Sequence, residues 1–187
     1  MKIIFLDVDG VLNSEESYVY FRREFARLGK EDPKMGCRDI DLPSPIAMSN
    51  LKLILECCPD VKIVISSTWR ILHMDILKEH FLANHLEWDG LVIGQTPPRR
   101  KMSGVRGDEI ENWLQENARV PEGSMLMPKF QVDDFVILDD NSDMAHLMSH
   151  LVLTNPQVGL TIDNAETVIH RFGGGTARRE WFKRFVT

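Results

Sequence analysis

Asp7 and Asp9 stand two residues apart at the end of a short apolar run, Ser66 and Ser67 close a second such run, and Asp139 and Asp140 close a third. Brought to one edge of a sheet, four carboxylates would repel one another and raise their own pKa values unless a cation neutralised them. A hard, oxygen-seeking ion suits such a set, and Mg2+ binds carboxylates together with water and a substrate phosphate. Softer transition metals would want His or Cys at these positions, and none is there. A carboxylate held against Mg2+ can attack phosphorus, forming an aspartyl-phosphate that water later hydrolyses. A second carboxylate two residues on reaches the same pocket and can serve as acid for the leaving group, then as base for water. Hydroxyls and basic side chains around the phosphoryl oxygens would stabilise the charge spread over them. Each signal alone is weak: paired aspartates are commonly solvated, serines are ordinary turn residues, and Asp139-Asp140 could be a plain helix cap. Their recurrence at successive strand ends carries the argument.

The elements that must position these groups follow from the spacing of apolar residues. Lys2 to Leu6, Val61 to Ile65 and Phe135 to Leu138 are continuous apolar runs, the pattern of strands buried on both faces of a parallel sheet. Shorter runs at Leu91 to Ile93 and Leu151 to Leu153 predict two more strands. Helical spacing runs from Pro45 to Cys58, with Ser44 as cap and Pro45 in the first helical position. It resumes from Ile71 to His85, from Asp108 to Leu114 and near Ala165 to Phe172, with an amphipathic stretch from Tyr18 to Leu28. Alternating strands and helices predict an α/β, doubly wound, mostly parallel Rossmann-like sheet, and ligands bind such sheets beyond the carboxyl ends of the strands. One domain is expected over residues 1–172, with a small cap-like insertion at about 14–44, and residues 173–187 form a Gly-rich hinge and a basic tail.

Composition sets the limits. A chain of 187 residues supports one well-buried domain. Its apolar and charged fractions, 43% and 27%, are those of an ordinary soluble protein. A net charge of −6 argues against a large polyanion-binding surface but leaves room for a local basic patch. The run Ile3 to Leu6 is too short for a signal peptide or a membrane span, so a cytoplasmic protein without membrane contact is expected. Cys37, Cys57 and Cys58 fit no disulfide framework or zinc spacing, and the last two read as buried helix-end residues. The six histidines show no HExxH spacing and read as structural, and Trp69 reads as a core anchor.

The segment Asp7-Val8-Asp9-Gly10-Val11-Leu12-Asn13 resembles the first motif of the haloacid dehalogenase (HAD) superfamily, Ser66 its second, and Ile137-Leu138-Asp139-Asp140-Asn141-Ser142-Asp143 its fourth. More narrowly, Ser66-Ser67-Thr68-Trp69-Arg70, Thr96-Pro97, Arg106-Gly107-Asp108-Glu109-Ile110 and Gly159-Leu160-Thr161 look like the HAD domain of RNA-repair proteins. That group is similar to the phosphatase half of bacteriophage polynucleotide kinase–phosphatase. The resemblance implies that Asp7 is the nucleophile and a Mg2+ ligand, and that Asp9 is the acid and base, touching the metal through its backbone carbonyl. Ser66 would hydrogen-bond the transferring phosphoryl group, with Ser67 beside it. Asp139 and Asp140 would complete the metal site, Asp140 as the preferred direct ligand, with Asp143 behind. The third motif departs from the family, which usually places lysine there. Arg106 is the best-matching cation, with Arg100 and Lys101 as alternatives, and arginine adds a bidentate grip on phosphate. Arg70 is open to two readings, a grip on a further phosphate or an ion pair with an acidic helix residue.

Other doubly wound folds fail on order. A signalling receiver would carry its acceptor Asp at a middle strand, where this chain has serines, and a P-loop ATPase would need GxxxxGK[ST], which is absent. A non-catalytic phosphate-binding module is a third class. A small cap leaves a site open to larger substrates. Together with Arg99-Arg100-Lys101 and the resemblance, it favours a nucleotide or nucleic-acid end phosphate on a monomeric enzyme, with a small-metabolite phosphatase as the alternative.

Overall fold

Ile3, Ile4, Phe5 and Leu6 are wholly buried in the computed structural model, which places them in β1 (Lys2–Leu6), the middle strand of a five-stranded parallel sheet. The structure describes residues 1–29, 42–71, 73–97, 105–119 and 127–175. On one side β1 pairs with β2 (Val61–Ile65), which pairs with β3 (Val92–Gln95). On the other it pairs with β4 (Asp134–Asp139), which pairs with β5 (Leu151–Leu153). In this register Leu6 lies opposite both Ile65 and Leu138. The residues that follow, Asp7, Ser66 and Asp139, therefore emerge side by side. Register alone brings the three predicted strand ends together.

Side chains alternate across the sheet. Ile4 and Leu6 face a large core with Met48, Leu51 and Ile54 of α2 (Pro45–Cys57), Leu77 and Phe81 of α3 (Met74–Ala83), and Val168 and Ile169 of α5 (Ile162–Arg171). Ile3 and Phe5 face a smaller core with Ile110, Trp113 and Leu114 of α4 (Arg106–Asn117), closed by Met144 and Leu147. Phe5 meets Trp113 and Phe135 edge-on, at 5.4 and 5.6 Å between ring centres. Burying such a side chain contributes roughly 1.5–3 kcal/mol. Both faces of the central strands are thus covered, which is why they read as nearly continuous apolar runs, broken in β2 only by the half-buried Lys62.

Several boundaries differ from those the sequence predicts, each for a local reason. α1 (Glu15–Arg27) begins three residues before Tyr18, because Ser14 and Ser17 cap its first turn reciprocally. α3 begins at Met74 rather than Ile71. The chain first makes a 3-10 turn over Thr68–Arg70, and Ile71 is left 64% exposed. α4 begins at Arg106 rather than Asp108, with no side-chain cap of its own. α5 begins at Ile162, where Thr161 and Asn164 form a second reciprocal cap. β3 runs on through Gly94 and Gln95, paired with Val64 and Ile65. Ser44 caps α2 as the sequence predicts, and Cys57 and Cys58 are buried at its end, where burial pushes the Cys58 thiol up to about 11.

The glycine run read as a hinge starts as a helix terminator: the Gly173 and Gly174 N–H groups donate to His170 and Ile169 carbonyls of α5. The basic tail from residue 176 onward, most of the predicted insertion after Gly29, and Arg99, Arg100 and Lys101 lie outside the described residues. No helix among the described residues is long and apolar enough to cross a membrane.

Candidate active site

Backbone ladders extend one step past each strand. The Asp7 N–H donates to the Leu138 carbonyl at 2.9 Å, Ser66 N–H to Leu6 at 2.8 Å, and Thr96 N–H to Ile65 at 2.9 Å. These bonds hold Asp7, Ser66 and Thr96 at the sheet edge, the Asp139 carbonyl accepts from Thr154 N–H at 3.0 Å, and Asp7, Ser66 and Asp139 are all buried.

The loop after Asp7 is tied down from several sides. The Val8 carbonyl accepts from the N–H groups of Val11, Leu12 and Asn13. Thr154 Oγ1 donates to the Gly10 carbonyl at 2.8 Å, Leu160 N–H to Val11 at 2.7 Å, and Ser44 N–H to Leu12 at 2.6 Å. Gly10 has φ +71, and a Cβ there would overlap the Asp140 carboxylate. Glycine is therefore required twice over, for the left-handed turn and for the close approach of Asp140.

Around Asp7 the charges are dense. Carboxylate oxygens of Asp7, Asp139 and Asp140 lie within 4.8 Å of one another. Asp7 Oδ1 accepts from Val8 N–H at 2.8 Å, its Oδ2 accepts from Arg106 Nη2 at 3.2 Å, and Ser67 adds a side-chain hydrogen bond. Arg106 Nη1 donates to the Ser66 carbonyl, and its Nε lies 3.4 Å from Asp139 Oδ2. The one planar head of Arg106 thus touches groups at the ends of all three central strands. Two long-range contacts dock it. Asp143 Oδ2 accepts from the Arg106 N–H at 3.2 Å, and the Asp143 carbonyl from Gly107 N–H at 3.1 Å. Asp143 is thus the cap that α4 lacks locally. A Cβ on Gly107 would overlap the Met144 carbonyl, so glycine next to Arg106 lets the helix come this close.

Burial raises the Asp7 pKa, with Arg106 opposing. Burial, reinforced by Asp7, raises Asp139 to about 7, and burial also raises Asp140. Burial works against the charge of Arg106, but Asp7 and Asp139 outweigh it and hold its pKa above the ordinary value. Asp139 Oδ2 and Ser66 Oγ are buried with no hydrogen-bond partner among the described residues, an arrangement that disfavours the fold unless a ligand completes it. An all-oxygen, surplus-negative donor set with an unsatisfied carboxylate oxygen fits a hard divalent cation such as Mg2+.

Asp9 lies on the other side, exposed, and outside the carboxylate cluster. Its Oδ1 accepts from Asn13 Nδ2 at 2.9 Å and from Trp69 Nε1 at 3.0 Å. A cavity of about 580 Å³ opens beside it, walled by Asp140, Pro156 and Ser14, Glu15, Tyr18 and Val19 at the start of α1.

Of the predicted site residues, the structure brings Asp7, Ser66, Ser67, Arg106, Asp139 and Asp140 into one cluster and sets Asp9 at its rim. Arg70 is the exception. Its Nη2 donates to Glu109 at 2.9 Å and its Nη1 to the Ser67 carbonyl at 2.6 Å, with both charged side chains 5% exposed. Of the two readings open for Arg70, the ion pair is the one formed. The sequence reading missed Asn13 and Thr154, and it took Trp69 for a core anchor. Trp69 is that, yet its indole N–H also reaches Asp9. A buried Trp N–H needs a partner, which was the available signal.

A family model described as the HAD domain in Swiss Army Knife RNA repair proteins matches residues 3–165. Among solved structures, a haloacid dehalogenase-like family hydrolase from Streptococcus pneumoniae aligns at 13% identity and a TM-score of 0.42, over 89% of this chain and 90% of that one. No curated protein matches significantly.

Proposed function

The chain belongs to the family of HAD domains found in Swiss Army Knife RNA repair proteins, and from that footing we propose that it is a HAD-type hydrolase, a Mg2+-dependent phosphomonoesterase acting through an aspartyl-phosphate on Asp7. The observation that carries the reading is the cluster of Asp7, Asp139 and Asp140 carboxylates within 4.8 Å, with Arg106 against two of them. Asp7, Asp139 and Asp140 would hold the ion, together with the Asp9 carbonyl. Bound there, Mg2+ supplies charge neutralisation for the acids and for a phosphate group.

Asp7 attacks phosphorus, forming an oxygen–phosphorus bond as the bond to the leaving oxygen breaks. Asp9 gives that oxygen its proton. Asp9 then takes a proton from water as the water oxygen bonds phosphorus and the bond to Asp7 breaks, which releases phosphate, returns Asp7 to its carboxylate and leaves Asp9 protonated for the next turnover. Arg106 and the free Ser66 hydroxyl stabilise the phosphoryl oxygens. Arg106 also opposes the burial that raises the Asp7 pKa, and so favours the ionised, attacking form.

The substrate in this reading is a phosphate at a nucleotide or nucleic-acid end, and the enzyme works as a cytoplasmic monomer. Residues 14–44 act as a small cap, with the start of α1 forming one wall of the cavity beside Asp9. One observation favours the alternative of a small-metabolite phosphate: the described residues lining that cavity include Asp9, Glu15 and Asp140 and no cation. Phosphate release with Mg2+ and with EDTA decides between them, using 3′- and 5′-phosphorylated oligonucleotides, mononucleotides and p-nitrophenyl phosphate. Mg2+-dependent release that favours oligonucleotide ends supports the nucleic-acid reading. Release from small phosphates alone keeps the mechanism and drops that substrate, and release from none rejects the phosphatase.

A further inference from the structure

Trp69 sits in the 3-10 turn that follows the serine pair, 5% exposed and packed into the larger core. Its backbone is fixed at both ends, since its N–H donates to Ser67 Oγ at 3.3 Å and its carbonyl accepts from His73 N–H at 2.8 Å. The His73 ring meets the indole edge-on, 5.4 Å between centres. From this rigid seat Nε1 reaches across to Asp9 Oδ1 at 3.0 Å, the same oxygen that Asn13 Nδ2 holds at 2.9 Å.

Resting on the phosphatase reading above, we propose that Trp69 is a positioning residue for Asp9, fixing one carboxyl oxygen so that the other alone carries the proton transferred in both chemical steps. An indole N–H donates and cannot accept, and the Asn13 contact comes from an amide N–H. Oδ1, receiving both, must remain an acceptor. The transferable proton then belongs on Oδ2, which receives no hydrogen bond among the described residues, and Asp9 lines the cavity where a leaving group would depart. The turn thereby serves both aspartates: Ser67 hydrogen-bonds Asp7, and two residues later Trp69 holds Asp9. A swinging carboxyl group would present its proton in the right place only part of the time, and misplacement of about 1 Å costs on the order of 100-fold in rate.

Trp69→Phe keeps an aromatic ring in the core and deletes the N–H. Single-turnover and steady-state kinetics with Mg2+ should then separate by leaving group. For a 3′-mononucleotide, whose alkoxide must be protonated, kcat is expected to fall about 10- to 100-fold with KM within about 2-fold. For p-nitrophenyl phosphate, whose leaving group needs no proton, formation of the phosphoenzyme should change less than about 3-fold. Equal losses in phosphoenzyme formation on both substrates, or a change confined to KM, would overturn the proposal. A second measurement does not depend on the variant folding. In 1H–15N spectra, Asp9→Ala should shift the Trp69 indole resonance far more than those of Trp88 and Trp113, and an unmoved Trp69 resonance overturns the contact. If the wild-type protein releases no phosphate from any monoester, the phosphatase reading fails and the proton-transfer role falls with it. The indole resonance then tells whether the grip on Asp9 is real.

Discussion

The two sides of Asp7 are built on opposite principles. Toward β4 and α4 the groups are buried and charged: Asp139 is wholly buried, and Arg106 lies against both it and Asp7. Toward α1 and the 3-10 turn the acid is exposed and its partners, Asn13 and Trp69, are uncharged. On the first side three carboxylates face one guanidinium, and the excess of negative charge is what a divalent cation would balance. On the second, neutral donors fix the direction of a carboxyl group without bringing a counter-charge to it. A group that must stay ionised and a group that must lose and regain a proton call for these two kinds of surroundings.

The contrast is broken most directly at the nucleophile. Asp7→Asn keeps the shape but removes the attacking oxygen, and phosphate release should fall by about 10⁴-fold or more. With radiolabelled p-nitrophenyl phosphate, whose leaving group needs no proton, Asp9→Asn should instead let a phosphoenzyme accumulate, since attack by Asp7 survives and hydrolysis stalls. Near-normal turnover by Asp7→Asn would end the covalent mechanism, and with it the assignment of the two sides.

The charged side extends behind the site through Arg70 and Glu109. Burial lowers the Arg70 pKa from its ordinary value while Glu109 opposes that shift. Removing Arg70 takes the guanidinium at 2.9 Å away from the buried Glu109 carboxylate, so Arg70→Met should cost up to about 3–5 kcal/mol in urea unfolding. The Arg70→Met, Glu109→Leu double variant should recover most of it. A cost for the double variant equal to the sum of the singles would mean that the two residues act independently.

How much of this could be read beforehand depended on distance along the chain. Strand ends were legible because each apolar run stops at its polar residues without an intervening loop, as at Leu6-Asp7 and Ile65-Ser66. Their side-by-side register followed once the sheet was parallel. What the sequence concealed were contacts made across the fold. Trp69 counts as apolar in any periodicity; its N–H calls for some partner, but nothing local points to Asp9, 60 residues away. The start of α4 was placed too late because its cap, Asp143, lies 37 residues on. The start of α3 was placed too early because Ile71 extends the helical spacing while the backbone is still leaving a 3-10 turn.

That long-range cap offers a way to loosen the charged side without touching a charge. Gly107→Ala forces the start of α4 away from the Met144 carbonyl. Such overpacking should cost about 1–3 kcal/mol of stability. Because Arg106 moves with the helix, kcat should fall on the order of 100-fold. Gly107→Ala with wild-type kcat would show that the guanidinium reaches its place independently of the helix.

The smallest effect is also the one most specific to the contrast, because only the charged side should respond to it. With its folded pKa raised to about 7 from an ordinary value of 3.8, Asp139 binds its proton more tightly in the folded protein than in the unfolded chain. Protonation therefore favours the fold. The stabilisation is complete below the ordinary value and is lost as pH rises through the folded one. In EDTA, Tm should accordingly decline between pH 5 and pH 8, by about 3–8 °C given the few kcal/mol at stake in a chain of this length. A bound divalent cation reverses the preference, because it favours the ionised carboxylates that burial penalises. Mg2+ should then raise Tm more at pH 8 than at pH 5.5, and flatten the decline. Thermal unfolding at both pH values, with and without Mg2+, measures this directly. Equal shifts at the two pH values would mean that the ion binds somewhere other than the Asp7, Asp139 and Asp140 cluster, and the charged side would need another counter-charge.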